Sequence, residues 1–132
     1  MIQISGVYHL GYPVDNLERA EGFYTEVLGF QVEGRIVDQE IPTAPPTRLT
    51  RMRQGSTSLV LFQRPRPLDR NTLREDGIAH QAFEVTPEVF DRAMEELKAG
   101  GIFDSGPIAR PSGRAFYFFD TEGNYLQLHT SR

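Results

Sequence analysis

The chain contains no cysteine. That excludes disulfides, thiolate metal ligands and a cysteine nucleophile, and it fits a reducing cytoplasm, where the protein is expected to act. No apolar run reaches the roughly 18 residues of a membrane-spanning helix, so no membrane is expected as a partner. The first residues, Met1 to Gly6, have no basic stretch leading into an apolar one, which argues against a secretory leader. Positive charge is also scarce: 14 Lys and Arg stand against 18 Asp and Glu, with a formal net charge of -4 and no sustained basic stripe. Nucleic acid is therefore not the expected partner. What is present is ordinary globular material. The 132 residues are 39% hydrophobic and 24% charged, enough for one domain with a real core.

Periodicity organises that material. Gly6–Val14 reads as a strand with apolar residues on both faces. Asp15 or Asn16 can cap the helix that follows, and Leu17, Ala20, Phe23, Tyr24 and Val27 fall at helical spacing. Gly29 stops it. Phe30–Val37 is the next strand. Ile41–Thr47, with three prolines, reads as a loop, and Arg48–Met52 with Ser58–Phe62 as a hairpin. Residues 64–77 are polar and aperiodic and form the best linker. The same order then returns. Ile78–Val85 is a strand, and Thr86-Pro87 opens a helix with a stripe of Phe90, Ala93, Met94 and Leu97. Gly100-Gly101 ends it. Ile102-Phe103 starts a short strand, Ser105–Gly113 reads as a second loop, and Ala115–Phe119 with Tyr125–His129 as a second hairpin.

The two halves align. His80 follows His9 by 71 residues, and at that offset Val7 matches Ile78, Val14 matches Val85, Phe23 matches Met94 and Gly29 matches Gly100. At an offset of 67, Met52 matches Phe119 and Leu61 matches Leu128. The expected fold is α+β: one domain of two βαβββ modules, residues 5–63 and 78–131, forming a curved mixed sheet. One helix per module cannot cover its sheet, so two modules or two chains should pair.

Three segments resemble the vicinal oxygen chelate superfamily, which includes glyoxalase I, fosfomycin-resistance enzymes, extradiol dioxygenases and bleomycin-binding proteins. They are His9-Leu10-Gly11-Tyr12-Pro13-Val14-Asp15-Asn16-Leu17 with Phe23–Phe30, His80-Gln81-Ala82-Phe83-Glu84-Val85, and Gly113–His129. The resemblance implies a cup-shaped sheet holding one divalent metal, with His9, His80 and Gln127 at the ligand positions. It also implies a homodimer that shares the site. Gln127 stands where the family usually has a glutamate, and Val60 stands at the fourth position that glyoxalase-type members use. Gly11, Ala115 and Pro111 replace hydroxyl residues of fosfomycin enzymes, which argues against thiol transfer.

Alternation along strands puts His9, Gly11 and Pro13 on the cup face, with His80, Ala82 and Glu84 in the second module. Tyr125, Gln127 and His129 share that face with Ala115, Tyr117 and Phe119. Imidazole nitrogen suits Fe, Mn, Ni, Co or Zn, and the identity stays open. His129 reads as a substitute ligand or a partner of one. Glu84 is a candidate general base or alternative ligand, and Tyr117 a candidate hydrogen-bond donor to a substrate oxygen. Arg48, Arg51, Arg53, Arg110 and Arg114 are candidates for pairing with an anionic substrate. Asp120–Asn124 reads as turn chemistry, being too short for a calcium loop. These residues point to a metal-dependent enzyme acting on a small molecule. The alternative is a non-catalytic drug- or metabolite-binding protein of the same fold.

Overall fold

A computed structural model describes residues 1–38, 47–63 and 79–131. The linker expected over 64–77 and all but the last residue of the Ile41–Thr47 loop lie outside the described residues. The chain divides into two compact units, Met1–Leu68 and Asp69–Arg132. The first unit runs β1 (Leu10–Val14), α1 (Leu17–Glu26), β2 (Gln31–Asp38), β3 (Thr47–Gln54) and β4 (Thr57–Gln63). The second runs β5 (Gln81–Glu84), α2 (Pro87–Ala99), β6 (Phe103–Arg110), β7 (Gly113–Phe119) and β8 (Tyr125–Ser131). The sheet orders are β1-β4-β3-β2 and β5-β8-β7-β6, so each unit is one βαβββ module. In each, the first strand lies parallel to the last, and the other pairs are antiparallel.

Local chemistry places the helices. The Asn16 side chain accepts the Arg19 N–H at 2.9 Å, and Thr86 accepts that of Val89 at 3.3 Å, each satisfying a first-turn donor. Leu17, Ala20, Phe23 and Tyr24 of α1 are buried against Tyr12, Val14, Met52, Leu59 and Leu61 of their sheet. Tyr24 stacks on Tyr12 at 5.9 Å and meets Phe30 edge-on at 6.0 Å. In the second unit Phe90 of α2 packs on Phe116 at 4.8 Å, above Phe118, Leu126 and Leu128. Burying each of the Leu, Val, Met and Phe side chains stabilises the fold by about 1.5–3 kcal/mol.

Four expectations change. The strand expected from Gly6 begins at Leu10, because its ladder opens at Leu10↔Leu59, and Val7 and Tyr8 lie exposed before it. β5 likewise begins at Gln81, so His9 and His80 each stand one residue ahead of a strand. Val27 belongs to the helix cap rather than the buried stripe and is 43% exposed. The loop expected over Ser105–Gly113 is mostly β6. Its Pro107 is tolerated because β6 is an edge strand whose register shifts between Ser105 and Ile108.

The fourth change concerns the repeat. Gly11↔Val60 and Ala82↔Gln127 occupy the same rung of the two parallel ladders, so the 67-residue offset holds for the last strands. Met52 pairs with Leu59, whereas Leu126 pairs with Phe118. Met52 therefore corresponds to Phe118, not Phe119. The second hairpin turn is longer, and its Asp120 fills it. One carboxylate oxygen accepts the N–H groups of Glu122 and Asn124 at 2.8 Å, and the other accepts the Asn124 side-chain amide at 2.8 Å.

Candidate functional site in the second unit

The face of the second sheet turned away from α2 carries Glu84, Tyr117, Tyr125, Gln127 and His129. Register makes this so. Glu84↔His129, Ala82↔Gln127, Tyr117↔Gln127 and Ala115↔His129 are direct neighbours across β5, β8 and β7. The residues between them, Phe116, Phe118, Leu126 and Leu128, point to the helix and are buried.

Two clusters result. In the first, His80 Nε2 lies 3.1 Å from Gln127 Oε1. The His80 ring meets Tyr117 and Tyr125 at 6.0 Å each, and those two tyrosines stack at 5.4 Å. The Tyr117 hydroxyl accepts a hydrogen bond from Arg110 Nη2 at 3.1 Å. A nitrogen donor and a neutral oxygen donor thus converge beside a guanidinium and a phenol. In the second cluster His129 Nδ1 lies 2.5 Å from Glu84 Oε2, and His129 Nε2 lies 3.0 Å from Ser112 Oγ. The other Glu84 oxygen accepts the Ser131 N–H at 2.7 Å. The hydrogen bond to His129, then the bonds from Ser131, pull the Glu84 carboxyl down to about 2. A carboxylate so held is a weak base, and its geometry suits it to orienting His129.

Among the described residues no three His, Asp or Glu side chains gather as a ready cation site. The donor chemistry of His80 and Gln127 nevertheless fits a divalent metal that takes imidazole nitrogen and amide oxygen. His9 belongs to the first unit, exposed and 5.3 Å from the Tyr8 ring. It holds the place in front of β1 that His80 holds in front of β5.

Three of the candidate arginines are occupied elsewhere. Arg48 pairs with Glu18 at 2.9 Å, Arg53 with Glu33 at 2.5 Å, and Arg114 with Asp91 at 3.0 Å while lying over the Phe90 ring. Arg110 alone among those five meets a site candidate. Sequence reasoning missed Ser112, whose only sign was a hydroxyl in a turn. It placed Glu84 and His129 on one face without pairing them, although the match of Ala82 to Gln127 would have done so.

The family model of the Glyoxalase/Bleomycin resistance protein/Dioxygenase superfamily matches residues 6–128. The chain is 31% identical over 130 residues to uncharacterized protein YwkD of Bacillus subtilis (strain 168), covering 96% of this chain and 97% of that one. It is 26% identical over 130 residues to metallothiol transferase FosB of Shouchella clausii (strain KSM-K16), covering 96% and 81%. A mutant of the fosfomycin resistance protein FosX from Listeria monocytogenes was crystallised with Mn(II) and 1S,2S-dihydroxypropylphosphonic acid. It shares the fold with a TM-score of 0.76 at 20% identity, over 98% of this chain and 95% of that one.

Proposed function

The chain belongs to the Glyoxalase/Bleomycin resistance protein/Dioxygenase superfamily, and we propose that it is a metal-dependent enzyme acting on a small, oxygen-rich anionic molecule. The observation that carries this reading is the convergence of His80 and Gln127, 3.1 Å apart, beside Arg110 and Tyr117. His80 and Gln127 would hold the metal, with His9 as a further ligand on the strength of its matched position. A bound divalent metal would supply Lewis acidity to two substrate oxygens. The Mn(II) in the FosX structure favours manganese among Fe, Mn, Ni, Co and Zn.

The chain's own residues do the rest. Gln127 brings no negative charge, so it would leave more of a bound metal's charge for an anionic ligand. The Arg110 guanidinium adds to that attraction and can bind a phosphonate or carboxylate through two parallel N–H groups. The Tyr117 hydroxyl, held by Arg110, can donate its proton to a substrate oxygen. Glu84 keeps the His129 ring in place at the edge of the same face. A homodimer sharing the site and a cytoplasmic setting complete the reading, and light scattering tests the first.

The decisive experiment is titration of metal-stripped protein with Mn(II), followed by calorimetry with a small phosphonate. Binding of the metal, and phosphonate affinity that depends on it, are the expected results. No retained metal, with no change in ligand binding, overturns the reading. Gln127 in place of a carboxylate favours a second reading, a metal-free binder of small molecules. Tight ligand binding that survives both His9→Ala and His80→Ala would decide for it.

A further inference from the structure

The geometry points to a second reactive centre: Ser112 is a nucleophile activated by His129 and Glu84, able to transfer the acyl group of small activated carboxylic esters. It goes beyond the metal reading and does not depend on it.

The case rests on three side chains joined in order. Ser112 Oγ is 3.0 Å from His129 Nε2, and His129 Nδ1 is 2.5 Å from Glu84 Oε2. This is the connectivity that nucleophilic catalysis by serine requires, with the acid on one ring nitrogen and the hydroxyl on the other. The tautomer follows from the bonds. One Glu84 oxygen is taken by the Ser131 N–H at 2.7 Å, so the other accepts the proton of Nδ1. In the neutral ring the Nε2 lone pair then faces the Ser112 hydroxyl. The carboxylate stays ionised throughout the neutral range, because its pKa is lowered to about 2.

The backbone holds the serine in place. Ser112 occupies the turn between β6 and β7, exposed at the rim. Gly113 follows with φ of 148°, and a Cβ there would lie 2.0 Å from the Thr130 carbonyl oxygen. The turn is therefore pressed against β8, the strand that carries His129. His129 itself is mostly sheltered, with 16% of its side chain exposed, while Ser112 is an exposed residue.

The chemistry balances without a cofactor. Ser112 Oγ adds to the ester carbonyl carbon while its proton passes to His129 Nε2. The tetrahedral adduct collapses, the bond to the alkoxide breaks, and the alkoxide leaves with that proton. Water then adds to the acyl-serine, giving its proton to Nε2. The Ser112 oxygen leaves, takes the proton back, and the carboxylic acid departs.

The test uses the full chain with an alkyl fluorophosphonate, which a nucleophilic serine attacks with loss of fluoride. Intact-mass spectrometry and peptide mapping read the product, and p-nitrophenyl acetate gives the acyl burst. One adduct on Ser112 is expected in the native protein, none in heat-denatured protein, and the same rate with and without EDTA. Glu84→Gln and His129→Asn should each slow labelling on the order of a hundredfold or more. The native chain needs no variant to be mapped, so misfolding of a variant does not cloud the outcome. No adduct on Ser112, an adduct elsewhere that persists in Ser112→Ala, or unchanged rates in both His129→Asn and Glu84→Gln would overturn the assignment. Labelling abolished by EDTA would do so too, by assigning the reactivity to the metal. Failure of metal binding with labelling intact would sink only the function proposed above.

Discussion

The two units share one topology and differ in what they put on it. Rung for rung, the face that carries Ala82, Glu84, Tyr117, Gln127 and His129 in the second unit carries Gly11, Pro13, Arg51, Val60 and Phe62 in the first. Titratable and ligating chemistry is concentrated in one copy of the module, and His9 is what the first retains. The seams between helix and sheet differ as well. Thr50 of the first unit and Phe116 of the second hold equivalent rungs, opposite Leu61 and Leu128. Buried Thr50 donates its hydroxyl to Glu21 of α1, which also takes Arg35 at 2.8 Å, whereas Phe116 meets Phe90 of α2 edge-on. One scaffold therefore tolerates a polar or an aromatic solution at the same place. In either solution a buried polar group costs free energy once its partner is removed.

Four measurements would break or sharpen that comparison. The largest effect is expected from Phe116→Ala, which empties the aromatic seam. A loss of about 3–5 kcal/mol by denaturant unfolding is expected. A loss under about 1 kcal/mol would mean that the second seam does not depend on this ring. Next is His80→Ala, which should weaken Mn(II) binding on the order of a hundredfold, about 2.7 kcal/mol. Gln127→Glu should strengthen it by restoring the carboxylate charge, and calorimetry reads both. If Gln127→Glu leaves the affinity unchanged, Gln127 is no ligand.

The polar seam should break more gently. Glu21→Ala leaves the Thr50 hydroxyl buried without that acceptor, at a cost of about 1–3 kcal/mol. Equal losses for Glu21→Ala and Phe116→Ala would erase the distinction between the seams. The smallest effect concerns pH. Glu84 titrates at about 2 in the fold against 4.5 ordinarily. Its contribution to stability is thus present above the ordinary value and lost as the pH falls towards about 2. Carboxyl NMR should show that low midpoint moving upward in His129→Ala. A midpoint that stays put would leave the Ser131 N–H as its cause.

Much of this could be read along the chain. The helix stripes, the cap at Thr86 and the pair Asp15-Asn16 from which the first cap comes, the turn at Asp120 and the 71-residue spacing of His9 and His80 are local or periodic features. So is the alternation that sorts Tyr117, Gln127 and His129 from Phe116, Phe118 and Leu128. Other features were not legible. Val7 looks like a strand residue, yet a strand needs a partner, and the ladder begins only at Leu10. Pro107 looks like a loop residue, yet an edge strand accepts it. The one-residue error between Met52 and Phe119 arose because turn length was hidden until Phe118 was seen opposite Leu126.

The sequence by itself determined the repeat and the faces of β1, β5, β7 and β8, because these follow from periodicities of 2 and 3.6, while the candidate metal donors came from the resemblance of three segments to a known family. Only the tertiary structure decided which side chains meet. Glu84 and His129 are 45 residues apart and Ser112 lies in a turn 17 residues from His129, and no local rule joins them. Parallel pairing of β5 with β8, and the close passage of Gly113 under Thr130, bring the three into one hydrogen-bonded line.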